Sequence, residues 1–278
     1  MDSGSILTTF LVVFREALEA SLIVGIILTV LARLGQKKYF PHVLVSSLAA
    51  IGISILAGIF LMRLTASAQG KMKELIEGVI SLAACGVLTY MVFWMDQQSR
   101  KIKSEIESQI EVAITRSEYI TFITLPFLAI FREGAETVLF LSAIASQSSG
   151  MVSLIGSTSG FCLAVLVVAI IFIGGRRVPL KPLFRSTGLL LLFIAAGLLA
   201  YGIHELEEFG LVPGIYSPIW NINHILNEKE GVGAFLKSLF GYNGNPSLTE
   251  FLSYVAYLAG ISMALNRRKK LEALIPTR

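Results

Sequence analysis

The chain has 278 residues, 54% of them hydrophobic and only 15% charged, with a net charge of +4 and a mean hydropathy of +0.73. That balance excludes an ordinary soluble domain and reads as an integral membrane protein. Cys85 and Cys162 have no C-x-x-C partner and read as buried packing residues, which excludes a disulfide framework or thiol-redox site. The three histidines, His42, His204 and His224, are too few for a haem or copper centre.

Crossing a hydrocarbon core of about 30 Å takes roughly 20 helical residues. Apolar stretches of that order fall at about 5–33, 43–62, 75–95, 120–145, 152–174, 187–203 and 248–265. The predicted fold class is therefore all-α, with seven transmembrane helices in a single domain. The first stretch lacks a basic leader and a small-residue cleavage site, and is read as mature protein.

Spans one and four each hold charge deep inside an apolar run. Phe14-Arg15-Glu16-Ala17-Leu18-Glu19 and Phe131-Arg132-Glu133-Gly134-Ala135-Glu136 share the pattern R-E-x-x-E. Each charge at mid-bilayer costs about 2.5–3.5 kcal/mol on insertion scales, so six in matching clusters point to an ion or proton pathway. Glu16 lies about ten residues into its span and Glu133 about thirteen, or roughly 15–20 Å, close to mid-membrane.

Between spans three and four, Ile102, Ile106, Ile110 and Ile114 recur every four residues among charged ones, which predicts an amphipathic helix in a linker over 96–118. Such a helix lies on the bundle or on the membrane surface. Residues 204–247 form the longest connection, with Pro213, Pro218 and Trp220. It is read as an outer loop able to cover a mouth.

Loop charge sets orientation. One set of alternate loops holds sixteen basic residues: Arg33, Lys37, Lys38, Arg100, Lys101, Lys103, Arg116, Arg176, Arg177, Lys181, Arg185, Arg267, Arg268, Lys269, Lys270 and Arg278. The other holds five: Arg63, Lys71, Lys73, Lys229 and Lys237. The positive-inside rule then puts the N-terminus outside and the C-terminus in the cytoplasm. Spread over four short loops, these bases are topological and do not form a nucleic-acid footprint. Asp2, Glu74, Glu77, Glu205, Glu207, Glu208, Glu228, Glu230 and Glu250 fall on or near the outer side. They outnumber its bases and make a mouth that concentrates cations.

Ala84, Gly86, Leu88 and Tyr90 of span three match Ala195, Gly197, Leu199 and Tyr201 of span six at an offset of 111. With the two charged motifs, this suggests two three-span halves, about 5–95 and 119–203, followed by a seventh helix over 248–265. Three spans is an odd number, so the second half enters the membrane inverted, as in many secondary transporters with a midplane site between halves.

On a helix, residues three or four apart share a face, so Glu16 and Glu19 point together and Arg15 reaches Glu19; Glu133, Glu136 and Arg132 repeat the arrangement. Four carboxylates with two arginines leave a formal excess of negative charge that calls for a cation or shared protons. An all-oxygen site suits Fe³⁺, Fe²⁺, Mn²⁺ or Mg²⁺. The metal-site residues are thus Glu16, Glu19, Glu133 and Glu136, with Arg15 and Arg132 in support; the competing reading is a pair of structural ion pairs. Glu74 with Glu77, and Glu205 with Glu208 beside His204, form an outer vestibule. Met62, Met72, Met91, Met95 and Met151 make no ligand-like cluster and read as packing.

The two motifs resemble those of the oxidase-dependent high-affinity iron permease family, most closely its bacterial ferrous iron permease (EfeU-type) branch. The resemblance extends to Glu77-Gly78, Leu88 through Met95, Ala195 through Glu208, Gly210-Leu211, Phe240-Gly241-Tyr242 and Pro246-Ser247. It implies a seven-span, multi-pass iron importer of the plasma membrane. In such an importer the motif glutamates bind iron in passage, iron is substrate and no tightly bound cofactor is held, and a separate extracytoplasmic iron-binding or iron-oxidising protein works outside. One departure is Ala17 where the family usually has glycine; the added methyl tightens packing and leaves the ligands alone. A permease for another divalent metal such as manganese or lead stays open. So does an intramembrane carboxylate metalloenzyme, although no histidine completes the E-x-x-H pattern typical of that chemistry.

Overall fold

The structure is a computed structural model that describes residues 3–98, 102–115, 119–145, 150–173, 180–228 and 230–274. Of the residues weighed above, Asp2, Arg100, Lys101, Arg116, Arg176, Arg177, Lys229 and Arg278 lie outside the described residues. So do the side chains of Met95, Lys103, Met151, Lys181, Arg268, Lys269 and Lys270.

Among the described residues the chain is all-helical: α1 (Ser3–Arg33), α2 (Phe40–Ser67), α3 (Lys71–Gln98), α4 (Ile102–Thr115), α5 (Thr121–Ala145), α6 (Gly150–Ile173), α7 (Leu180–Phe209), α8 (Gly231–Phe240) and α9 (Leu248–Leu274). Every apolar stretch read from the sequence is a helix. Five regions are long and apolar enough to cross a membrane, in α2, α3, α6, α7 and α9. The remaining two long helices, α1 and α5, are those interrupted by R-E-x-x-E. Residues 204–209, assigned to the outer loop from sequence, instead complete α7, and α9 runs past 265.

Helix ends follow local chemistry. Gly35 at φ 70° closes α1: its N–H donates to the Ala32 carbonyl at 3.2 Å, and that of Gln36 to Leu31 at 2.8 Å. This Schellman arrangement uses the left-handed conformation glycine adopts cheaply. Gly210 ends α7 in the same way, with N–H groups of Gly210 and Leu211 turned back onto Glu207 and Leu206. Pro41 opens α2, where its missing N–H costs nothing. Ser247 and Glu250 open α9 as a capping box: the Ser247 hydroxyl accepts from the Glu250 N–H at 3.1 Å, and the Glu250 carboxylate accepts from the Ser247 N–H at 3.3 Å.

Three helix pairs are the most extensive: α1 with α6, α3 with α7, and α2 with α5. Without a hydrophobic driving force between helices in lipid, close pairing requires small residues at the contact. α6 supplies Gly156, which abuts Ile6 and Thr9, and Gly160, which abuts Phe10 and Phe14, so α1 and α6 run parallel. α2 supplies a buried row of Ser46, Ser47, Ala50 and Ser54; the Ser46 hydroxyl donates to the Ile123 carbonyl at 2.5 Å, and Ser54 occupies the place where Gly134 would carry a Cβ. α2 and α5 are therefore also parallel. α3 and α7 are antiparallel, with Gly78 against Gly202 and Leu206.

Packing at the two ends differs. At one end, Ile106, Ile110 and Ala113 of α4 bury against Ile27 and Leu31 of α1, Val43 of α2 and Phe122 of α5, so the amphipathic linker docks on the bundle. At the other, α8 packs under α1: Thr8 donates to the Ser238 carbonyl at 2.9 Å, while Gly197 of α7 abuts Gly241. The connection before α8 folds back on the chain, with N–H groups of Ile219 and Ile222 donating to Pro246 and Gly244 at 2.9 Å. These are called the α4 end and the α8 end below. Cys85 is buried as read, but Cys162 is exposed on the outer side of α6.

Gly160→Leu is expected to force α1 from α6 and to destabilise the fold by about 1–3 kcal/mol, the usual cost of overpacking. The thermal midpoint of the detergent-solubilised protein should fall. Gly52→Leu, whose Cβ meets open space, should leave that midpoint unchanged.

Candidate metal centre

Midway along α1 and α5 the two motifs meet. Carboxylate oxygens of Glu16, Glu133 and Glu136 lie within 4.8 Å of one another, one contributed by α1 and two by α5. Glu16 and Glu133 are 1% and 2% exposed. Oε2 of all three residues is buried without a hydrogen-bond partner. A buried carboxylate oxygen without a donor is disfavoured, and three glutamates this close, each with such an oxygen, are an arrangement that could hold a cation. The donor set, oxygen alone, suits hard and borderline ions. Glu19 belongs to the same cluster electrostatically, within reach of Glu133 and Glu136, but its Oε1 lies 3.1 Å from Arg15 Nη2. The fourth motif carboxylate is thus ion-paired with Arg15, as Glu16 is, and its Oε1 too is buried without a hydrogen bond.

The two arginines are placed differently. Arg15 is 2% exposed; its Nη1 donates to Glu16 Oε1 at 3.2 Å and to the Met91 sulfur at 2.6 Å, and its Nε has no partner. Arg132 keeps 45% of its side chain exposed, with Nε donating to Glu133 Oε1 at 3.0 Å and lying 3.7 Å from Glu136 Oε1. Its guanidinium stacks over Trp94, 4.6 Å from the ring centroid, in a cation–π contact. Each arginine occupies only one oxygen of its neighbouring glutamate and leaves the other for the trio. Both are supported from α3.

Met91 is therefore a correction to the sequence reading. It packs, at 4% exposure, but it also accepts a hydrogen bond from the central arginine. Nothing in the spacing of apolar residues marks that role. Trp94 was likewise visible only as part of a shared segment.

The vestibule residues divide into two groups at the α8 end. Between α3 and α7, the Tyr201 hydroxyl donates to Glu77 Oε2 at 3.0 Å, Lys73 lies 3.7 Å from Glu77, and buried Glu205 is in electrostatic reach of Glu77. Glu74 sits one turn away with a buried, unpartnered Oε2. His204 instead faces α9, with the exposed Glu208 beside it one turn on. His204 Nδ1 is 3.0 Å from Glu250 and Nε2 is 3.4 Å from Glu208. Glu207 and Glu250, which sequence reasoning left out of the vestibule, come together with His204. Glu207 accepts from Ser247 at 2.9 Å and Glu250 from Asn243 at 2.7 Å. A helix places neighbours in sequence on different faces, which is why His204 parts from Glu205.

The chain matches the Iron permease FTR1 family over residues 6–267. It is 36% identical over 251 residues to the ferrous iron permease EfeU of Yersinia pestis, covering 90% of this chain and 89% of that one. It is 33% identical over 251 residues to the ferrous iron permeases EfeU of Escherichia coli O6:H1 and of Shigella sonnei, in each case covering 90% of this chain and 91% of the relative. No solved structure matches the chain. With a family match across nearly its whole length and relatives above 30% identity, the chain belongs to the iron permease FTR1 family.

Proposed function

We propose that this protein is a multi-pass permease of the plasma membrane that imports iron through the carboxylate trio of Glu16, Glu133 and Glu136. The observation that supports the site is the approach of the Glu16, Glu133 and Glu136 carboxylates, from two different helices, to within 4.8 Å of one another, each with one buried oxygen lacking a hydrogen bond. The family is one of permeases, so the chain transports iron as substrate and is not an enzyme. An intramembrane metalloenzyme no longer fits. Glu19 takes part by holding Arg15 and by receiving the ion as it moves on. Arg15 and Arg132 lower the net charge of the site so that a divalent ion is bound without being trapped.

In this reading α1 and α5 also cross the membrane, making seven spans with the α8 end outside and the α4 end cytoplasmic. The two halves, 5–95 and 119–203, are inverted copies within one permease domain. Pairing supports this: exchanging the halves carries the parallel α1–α6 pair onto the parallel α5–α2 pair and returns the antiparallel α3–α7 pair to itself. The stretch 96–118 is the cytoplasmic linker, and the outer connection with α8 precedes the seventh helix. Glu74, Glu77, Glu205 and, on the α9 side, His204 and Glu208 form an outer vestibule that receives iron from a separate extracytoplasmic iron-binding or iron-oxidising protein.

Glu133→Gln and Glu16→Gln are each expected to reduce iron uptake into an uptake-deficient cell by more than about tenfold while the protein reaches the membrane in normal amount. Undiminished uptake in both variants would remove the trio from the pathway. Glu77→Gln should raise the iron concentration giving half-maximal uptake and leave maximal flux in place; a loss confined to maximal flux would count against a capture role. With Cys85 and Cys162 replaced by alanine, Ile225→Cys should react with an impermeant maleimide on intact cells and Ser108→Cys only after lysis. The reverse pattern would invert the topology.

A further inference from the structure

Three carboxylate oxygens do not by themselves explain a preference for iron. Carboxylate sites suit Mg²⁺, Ca²⁺ and Mn²⁺, whereas thioether sulfur favours softer, later ions. The centre has one sulfur in hydrogen-bond contact with its own charged groups among the described residues, that of Met91. From this, and resting on the iron-permease reading above, we propose that the Met91 thioether is a specificity-determining ligand that selects Fe²⁺ over harder divalent ions at the trio.

Geometry carries the assignment. Arg15 Nη1 contacts both Met91 Sδ and Glu16 Oε1, the latter at 3.2 Å. One positively charged nitrogen is therefore bracketed by the sulfur and by a carboxylate of the trio, the arrangement a bound cation would need. A thioether is a weak hydrogen-bond acceptor, so this contact is a poor final use of a guanidinium N–H. The same guanidinium has a second anchor in Glu19 through Nη2, 3.1 Å away, and an unused donor in Nε. An arriving cation can displace Nη1 from sulfur and Glu16 while Arg15 stays paired with Glu19. Met91 and Glu16 then close on the ion with Glu133 and Glu136. This also accounts for a methionine at a position that is 4% exposed and where leucine would fill the space equally well.

The test uses the full chain purified into liposomes, with Fe²⁺ kept reduced, and compares wild type with Met91→Leu and Glu133→Gln. Leucine conserves volume, so the variant should fold and insert. In Met91→Leu the half-saturating Fe²⁺ concentration should rise by about tenfold, with much smaller changes in inhibition of that flux by Mg²⁺ or Mn²⁺. X-ray absorption of Fe²⁺-loaded protein should show a sulfur neighbour in wild type and none in Met91→Leu. Loss of apparent affinity for every ion by the same factor would make Met91 a mere support for Arg15 and overturn the proposal, as would unchanged discrimination or an iron shell without sulfur in wild type. Fe²⁺ flux that survives Glu133→Gln would instead sink the trio itself, and the role of Met91 with it.

Discussion

A guanidinium sealed from water must find acceptors within the bundle, and Arg15 is such a group. With 2% exposure it cannot reach solvent, and leaving a buried charge unpaired costs several kcal/mol, about 3–5 for a broken buried pair. Its partners are one carboxylate on each of two successive helical turns, Glu16 and Glu19, and a sulfur on α3. That demand ties α1 to α3 at one point, while α6 and α5 supply most of the packing around α1. With α1 so placed, the Glu16 carboxylate meets those of Glu133 and Glu136. The site follows from how Arg15 is satisfied.

Helices that present charge to one another at this depth must also be held close by something other than the hydrophobic effect. The small-residue faces do that. Gly156 and Gly160 admit the backbone of α1, and Ser54 fills the space beside Gly134 of α5. Each motif helix thus has a tight, parallel partner behind it and a charged face in front. Ala17 sits in a cluster with Ala164, Phe14 and Leu18, so the methyl that replaces the usual glycine in the first motif is absorbed by packing on the side away from the trio.

Sequence made the motif helices and their chemistry legible because charge in an apolar run has few explanations and helical spacing dictates which charges share a face. The seven long helices were legible for the same reason: length and composition suffice. The contribution of α3 was hidden. Met91 and Trp94 look like any apolar residues, and their value comes from standing opposite two arginines distant in sequence. At the offset of 111 that aligns α3 with α7, their counterparts are Gly202 and Glu205, so no repeat pattern could have flagged them. The vestibule was half legible. Glu77 and Glu205 do converge with Tyr201 between α3 and α7, but Glu250 serves first as the capping partner of Ser247 and draws His204 toward α9.

The asymmetry between the arginines gives the centre a direction. Toward the α8 end, Val12, Leu88 and Phe140 lie one turn from Glu16, Met91 and Glu136 respectively and are fully buried in one apolar cluster. No polar atom of these side chains offers an ion a foothold. On the α4 side, Arg132 covers Glu133 and Glu136 with a side chain 45% exposed, resting on Trp94. Arg132 is held by its pairing with Glu133 and by this cation–π contact, the latter worth about 0.5–2 kcal/mol, whereas Arg15 is paired and also fully desolvated. The more exposed clamp thus faces the α4 end and the sealed one is buried beside the trio. An ion held among the glutamates would meet an apolar layer in one direction and, in the other, Arg132 and then the apolar seal of α4 on α1, α2 and α5, so release toward the α4 end would need that docked helix to move as well as the side chain. Admission from the α8 end needs packed helices to part.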